Sequence, residues 1–378
     1  MEEKMKKYSK YLAGVLTLLL FLICIVQVNQ IKKEPLVSNQ GQSYVKATVL
    51  KVIRDNLQED GNRYGSQTVT IRITQGSHKG EEYEAESPSG TLFGADCVPG
   101  LKVIAILNVS GKTVNATVYA QDRSVCILGF VLIFFLTIVW IGGKKGWKSI
   151  GSLIFTFVCI FGLLFPMVYR GYSPFGVTVL VAIATTVFTI CFVGGWNHKS
   201  FAAMIGTISG VVLAGIVAQL FGKIAGINGY NVSDIESLNY MATYTKIRIG
   251  ELLFAGIIIS ALGAVMDVGM SLASAMDELY QKKPDLSRKE LFRAGMHIGQ
   301  DMMGTMTNTL ILAYVGGSLT TLLLNYAYDL PANQLINSYQ IGIEIMQGLS
   351  GSMGVVLTVP ITAVVAALLI TRKEERKK

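Results

Sequence analysis

Charged residues are scarce in this chain. Lys, Arg, Asp and Glu make up 15% of its 378 positions, against about 25% in an ordinary soluble domain. A water-facing surface wrapped around one large core is therefore excluded. Cysteine is scarce as well. Four of the five (Cys24, Cys126, Cys159, Cys191) sit inside apolar runs and Cys97 alone lies in polar sequence. That leaves no disulfide framework and no CxxC, and small buried hydrophobes account for them. HExxH, GxSxG, a P-loop and a GxGxxG flowing from strand to helix are all missing. Zinc-protease, serine-hydrolase and nucleotide-driven chemistry have no machinery here, so neither an enzyme nor a cofactor is expected.

In place of charge the chain has long apolar runs. Hydrophobic residues make up 51% and mean hydropathy is +0.47. Eight stretches, roughly 11–28, 124–142, 148–168, 175–195, 201–222, 250–275, 296–324 and 340–370, approach or exceed the ~20 residues that cross ~30 Å of hydrocarbon. The first follows Lys4, Lys6, Lys7 and Lys10 and has no small-x-small site after it, so it reads as an uncleaved anchor. The net charge of +8 raises the question of nucleic acid, but the basic residues cluster at the ends of apolar runs. Lys144, Lys145, Lys148, Lys199, Lys282, Lys283, Arg288, Lys289, Arg293 and the tail from Arg372 all fall on one side, as do Trp140, Trp147 and Trp196. This is a topology signal that places both termini in the cytoplasm of a cell (inner/plasma) membrane, with the lipid bilayer and not nucleic acid as partner.

The expected fold class is an α-helical polytopic membrane protein with about eight transmembrane helices, plus a small extracytoplasmic all-β domain. The expected divisions are an anchor at 1–30, the β domain at 31–123, a seven-helix membrane domain at 124–371 and a basic cytoplasmic tail at 372–378. Within 31–123, runs such as SYVKATVLKVI, QTVTIRITQ, EEYEAES, LKVIAILNV and NATVYAQ alternate with period two between Gly, Asn and Asp clusters. Five such runs suit a small barrel of the oligonucleotide/oligosaccharide-binding type. Its aromatics, Tyr44, Tyr64, Tyr83, Phe93 and Tyr119, form no visible stacking platform in sequence, which favours a scaffold or docking role. The stretch 223–249 reads as an external surface loop, and its NVS matches a glycosylation acceptor only by pattern. FLTIVWIGGKKGWKS and TICFVGGWNHKS resemble each other, as a parallel duplication or as two similar tight turns.

One run carries carboxylates where lipid is expected. In GAVMDVGMSLASAMDEL, Asp267, Ser271, Ser274 and Glu278 follow i, i+4, i+7 and i+11, one face of a helix. An ionised carboxylate at the bilayer centre costs on the order of 3 kcal/mol or more, so this face needs partner helices or a wet cavity. The next run offers His297, Asp301, Thr305 and Asn308 at the same spacing. A short connection makes the two helices antiparallel neighbours, which puts Thr305, Asn308 or Thr309 within reach of Asp267. The eighth run adds Glu344 and Gln347, small-residue spacing at Gly348, Gly351 and Gly354, and Pro360 as a kink. Asp277 and Glu278 read as a solvated helix end beside Lys282 and Lys283. Methionines 266, 270, 276, 296, 302, 303 and 306 permit a soft-metal reading, but Met is also a common apolar filler. The two aspartates do not suit an intramembrane aspartyl protease, because GAVMD lacks the Gly before its Asp.

GAVMDVGMSLASAMDEL followed by FRAGMHIGQDMMGTMTNTLILAYVGGSL resembles the YibE/F-like family of bacterial multipass membrane proteins. That resemblance implies architecture and lends no catalytic residues. More distantly, Asp267, the basic turn with Arg288 and Arg293, and TMTNTLILAYVGG are similar to the place where two helices meet in the SecD/SecF translocation accessories. Those belong with the proton-driven resistance-nodulation-division permeases. An Asp–Arg pairing characteristic of SecF is not matched at Asp277–Glu278, so the likeness is one of fold alone.

Together these features lead to an expected proton- or cation-coupled transporter, or an export-assisting permease. Its pathway would be lined by Asp267, Ser271, Ser274, His297, Asp301, Thr305, Asn308 and Glu344. The alternative is a non-transporting scaffold whose external domain recruits a partner. Solute, protein partner, and the choice between homo-oligomer and partner membrane subunit are left open by the sequence.

Overall fold

The computed structural model describes residues 21, 23–31, 41–59, 62–88, 93–110 and 113–375. Most of the expected anchor at 11–28 and the end of the tail lie outside them. The chain divides into two compact units, Glu34–Trp140 and Met1–Lys33 with Ile141–Lys378.

The first unit contains the expected five-stranded barrel. Strands β1 (Gln42–Arg54), β2 (Ser66–Ile73), β3 (Glu82–Pro88), β4 (Lys102–Ser110) and β5 (Thr113–Gln121) close in the order β1-β2-β3-β5-β4. Period-two alternation decides its interior. Val45, Ala47 and Val49 on β1, Val69, Ile71 and Ile73 on β2, and Val103, Ala105 and Leu107 on β4 point inward, while the residues between them face out, polar on β1 and β2 and Ile104 and Ile106 on β4. Gln67 on β2 and Ser87 on β3 are polar and buried, at 1% and 0% exposure. The Ser87 hydroxyl donates to the Ala95 carbonyl at 2.7 Å. The Gln67 amide accepts from the Cys97 N–H at 2.7 Å and donates to Asp55 at 2.8 Å, so the polar group is satisfied.

Three of the five barrel aromatics meet in space. Tyr44 and Phe93 both lie against Tyr119, with ring centroids 5.6 and 5.9 Å away, and all three are exposed. They form an exposed cluster of edge-on and tilted rings, not a stacked platform, hidden in sequence because Phe93 lies between β3 and β4. It reaches Tyr119 through the Gly94 N–H to Tyr119 carbonyl bond of 2.8 Å.

Where the barrel gives way to helix, Asp122 accepts from the Ser124 N–H at 3.0 Å and from its hydroxyl, and pairs with Lys46 at 3.0 Å. The Ser124 hydroxyl, then the Ser124 amide and Lys46, hold the Asp122 carboxyl down to about 2 from an ordinary 3.8. The stabilisation is thus full above the unfolded value and is lost as pH falls through about 2. Asp122→Asn is expected to speed hydrogen exchange at the Ser124 amide several-fold at neutral pH. Wild type should show the same loss only near the low end of that window.

The helices are α1 (Ser124–Cys159), a π-helical turn (Ile160–Leu164), α2 (Phe165–Tyr169), α3 (Pro174–Gly194), α4 (His198–Ala225), α5 (Ile235–Tyr244), α6 (Leu252–Lys282), α7 (Arg288–Gly317), α8 (Leu319–Ala327), α9 (Ala332–Ile336) and α10 (Tyr339–Glu375). Among the described residues, five runs are long and apolar enough to cross a membrane: Ser124–Tyr169, Pro174–Gly194, His198–Ala225, Ile249–Lys282 and Tyr339–Thr371. The expected second and third spans are two helices that meet at a kink at Gly143, at φ 52° and ψ −128°. Only glycine enters that region readily. The expected seventh span is broken. α7 and α8 qualify only as a pair, bent by 63°, where Gly316, Gly317 and Ser318 interrupt helical preference. α10 by contrast runs through Pro360, and the expected loop at 223–249 contains α5.

The π turn has an identifiable cause. Pro166 has no N–H for the Gly162 carbonyl one turn back, and that carbonyl accepts from Asn29 Nδ2 at 2.7 Å instead. Arg170 donates to the Gln27 and Gln30 carbonyls at 2.9 and 3.2 Å. The helical stretch at 23–29 is thereby fixed to the α1–α2 corner.

Small residues hold the centre. α4 crosses α10 so closely that a Cβ at Gly206 or Gly210 would stand 1.8 Å from the Thr362 or Thr358 hydroxyl oxygen. Thr358 Oγ1 donates to the Gly354 carbonyl at 2.8 Å. α6 joins them with Gly269 opposite Thr207, and α7 lays Gly295 on Met276 and Gly299 on Val359. Side-chain hydroxyls thus replace bulk at these crossings, as close packing in lipid requires.

Candidate functional site

The direction Asp267 faces follows from its neighbours. Val265, Val268, Leu272 and Met276 are fully buried against α4 and α10. At about 100° per residue, Asp267 lies about 160° round the helix from Val265. It opens onto a cavity of ≈510 Å³ between α6, α3 and the second half of α1. Hydroxyls of Ser149, Ser152, Thr156, Thr185 and Thr189 line it, with Met266, Met270 and aliphatic side chains. Ser152 and Thr189 bond to each other at 2.6 Å, and Thr156 and Thr185 donate to carbonyls of their own helices. Among the described residues, no Lys, Arg or His lines the cavity. Asp267 has no hydrogen bond or ion pair among the described residues. A carboxylate in this setting calls for a proton or a cation.

The residues expected around it are placed differently. Ser271, His297, Asp301, Thr305 and Asn308 are exposed, as Asp267 is, but do not line its cavity, and Ser274 and Glu344 are half-buried. The Thr305 hydroxyl turns back to the Met302 carbonyl at 3.0 Å, and Thr309 to the Thr305 carbonyl at 2.9 Å. Neither they nor Asn308 bond Asp267. α6 and α7 are instead joined by a hydrogen bond of 2.6 Å between Ser260 and Tyr314. Asp277 pairs with Lys199 of α4 at 3.5 Å, and Glu278 with Lys282 at 3.3 Å. The methionines pack into or against the central core, as fillers do.

The α1 and α3 hydroxyls were missed in sequence. Ser149, Ser152 and Thr156 follow i, i+3, i+7 and Thr185 and Thr189 follow i, i+4, a one-face signal that isolated hydroxyls in apolar runs make weak.

A family model described as YibE/F-like protein matches residues 130–372, more than half of the chain. The chain belongs to the YibE/F-like family. No curated protein and no solved structure matches it. The SecD/SecF likeness therefore rests on the sequence motifs alone. In this YibE/F-like protein the matched stretch takes in Asp267 and every residue of its cavity, and leaves out the barrel strands.

Proposed function

We propose that this YibE/F-like protein is a proton- or cation-coupled permease of the cell membrane and that Asp267 is its coupling site. The single observation that carries this reading is an unpartnered carboxylate on a hydroxyl-bearing cavity between helices apolar enough to span a bilayer. A group so placed binds a positive charge from one side and releases it to the other if access alternates. Eight spans result when α1 is divided at Gly143, α7 and α8 are counted as one broken span, and the anchor is included. The basic loops then set both termini in the cytoplasm and the barrel outside. The most apolar stretch of α1 is unburied within the chain, in keeping with lipid contact.

A scaffold reading has one observation in its favour, the exposed Tyr44–Tyr119–Phe93 cluster on the barrel, because exposed aromatics suit a docking surface. Two variants separate the readings. In a permease, Asp267→Asn removes gradient-driven movement and deletion of 31–123 spares it. In a scaffold, deletion removes partner recruitment and Asp267→Asn has no effect.

A further inference from the structure

The cavity beside Asp267 has a polar level and an apolar end. α3 and α6 run side by side in one direction. Ser173, just before α3, donates to Glu251, just before α6, and Gly194 at the end of α3 lies against the Met270 side chain. Asp267 and Thr189 each stand sixteen residues beyond the Ser173–Glu251 bond, hence at one depth. The Ser152–Thr189 hydrogen bond is therefore level with the carboxylate. Past Thr156 and Thr185, toward the starts of α3 and α6, the wall is aliphatic, with Ile160, Val181, Ile259 and Leu262. Ile259 is eight residues from Asp267, about 12 Å along the helix.

The hydroxyls on this wall are turned to accept. Ser149, Thr156 and Thr185 donate their own protons to the carbonyls of Lys145, Ser152 and Val181 at 3.1, 3.1 and 2.8 Å. Their lone pairs, like the carboxylate oxygens of Asp267, are left for a donor. Among the described residues, Asp267 is the only ionisable group on the cavity. An inorganic ion fits this set poorly. It gathers its oxygens within roughly 2.6 Å of itself, whereas Ser149 and Thr156 are seven residues apart, about 10 Å along α1. The volume of ≈510 Å³ falls instead among sites for organic ligands, roughly 300–1,000 Å³.

We infer that the cavity binds a lipophilic amine in its protonated form, with the ammonium between Asp267 and the Ser152–Thr189 pair and the apolar body against the aliphatic end. The positive charge and N–H donors match the carboxylate and the hydroxyl lone pairs, and hydrocarbon matches the aliphatic side chains. Asp267 and Gly263 are exposed at the edge of the cavity, which gives the amine its way in. The inference rests on the coupling-site reading. Ammonium and proton contend for one carboxylate, so the amine is the cargo for which a proton is exchanged.

The test is calorimetric titration of the purified full chain in detergent with 4-phenylbutylammonium chloride. Saturable binding of one amine per chain is expected. 4-Phenylbutanol keeps the body and loses the charge, and methylammonium keeps the charge and loses the body. Each should bind about tenfold or more weakly. Asp267→Asn should lose amine binding to a similar degree and Asp267→Glu should keep it. Glu278→Gln, at the exposed end of α6, should match wild type. Equal binding of amine and alcohol overturns the inference, because an apolar groove alone explains it. So do equal binding of the amine and methylammonium, unchanged binding in Asp267→Asn, and no saturable binding at all. Proton flux that Asp267→Asn abolishes, without amine binding, overturns the cargo and leaves the coupling site standing. Amine binding without proton flux supports the site and removes the permease reading.

Discussion

Gly210→Val is expected to prevent the membrane unit from assembling normally. The new Cβ would lie 1.8 Å from Thr358 Oγ1, 2.8 Å from the Gly354 carbonyl oxygen and 3.0 Å from Val265 Cγ1. Two of those three atoms are in α10 and the third is in α6, so no single rotamer change relieves the clash. Thr358 Oγ1 is tied to the Gly354 carbonyl at 2.8 Å, and swinging it away leaves a buried hydroxyl unsatisfied. Overpacking typically costs about 1–3 kcal/mol, and the lost hydrogen bond adds about 1 kcal/mol more. Thermal unfolding of detergent-solubilised protein should show a much lower midpoint, or no folded protein. Gly256→Ala, where nothing lies within 4 Å of the new Cβ, should leave the midpoint nearly unchanged. Equal midpoints for the two variants would mean that the helices do not cross at Gly210.

The second large effect is chemical. A lipophilic carbodiimide partitions into membranes and adds to protonated carboxyls. Asp267 offers it a carboxyl without an internal partner, on a cavity lined mainly by aliphatic side chains. Peptide mass spectrometry should find the adduct on Asp267, lost in Asp267→Asn and declining as pH rises and the carboxyl ionises. Asp277, ion-paired with Lys199 at 3.5 Å, should stay unmodified under the same conditions. An adduct on Asp277 with none on Asp267 would place the reactive carboxyl at the helix end and not on the cavity.

Much of this was legible in the residues themselves. Scarce charge and long apolar runs give the helices, and period-two runs give a barrel whose inward Val and Ile positions alternate as written. The side of α6 that bears Asp267 is also readable, because Val265, Val268 and Leu272 claim the opposite one. What Asp267 faces is not. Sequence adjacency pointed to α7, and the cavity belongs instead to α1 and α3, because the side on which two antiparallel helices meet depends on where glycines permit close approach. Gly295 and Gly299 turn α7 toward Met276 and Val359, which carries His297, Asp301 and Asn308 outward. The aromatic cluster was hidden for a similar reason. Its contacts run between β1, β5 and a loop, joined by the barrel's closure and not by any local pattern.

The most direct test of the coupling site is pH-gradient-driven proton flux into liposomes holding only this chain, wild type against Asp267→Asn. The substitution is nearly isosteric and leaves the packed face of α6 untouched, so both proteins should reconstitute equally. Flux above empty liposomes for wild type, lost in Asp267→Asn, is the predicted result. Equal flux from the two, with both correctly folded, would contradict a coupling role for Asp267.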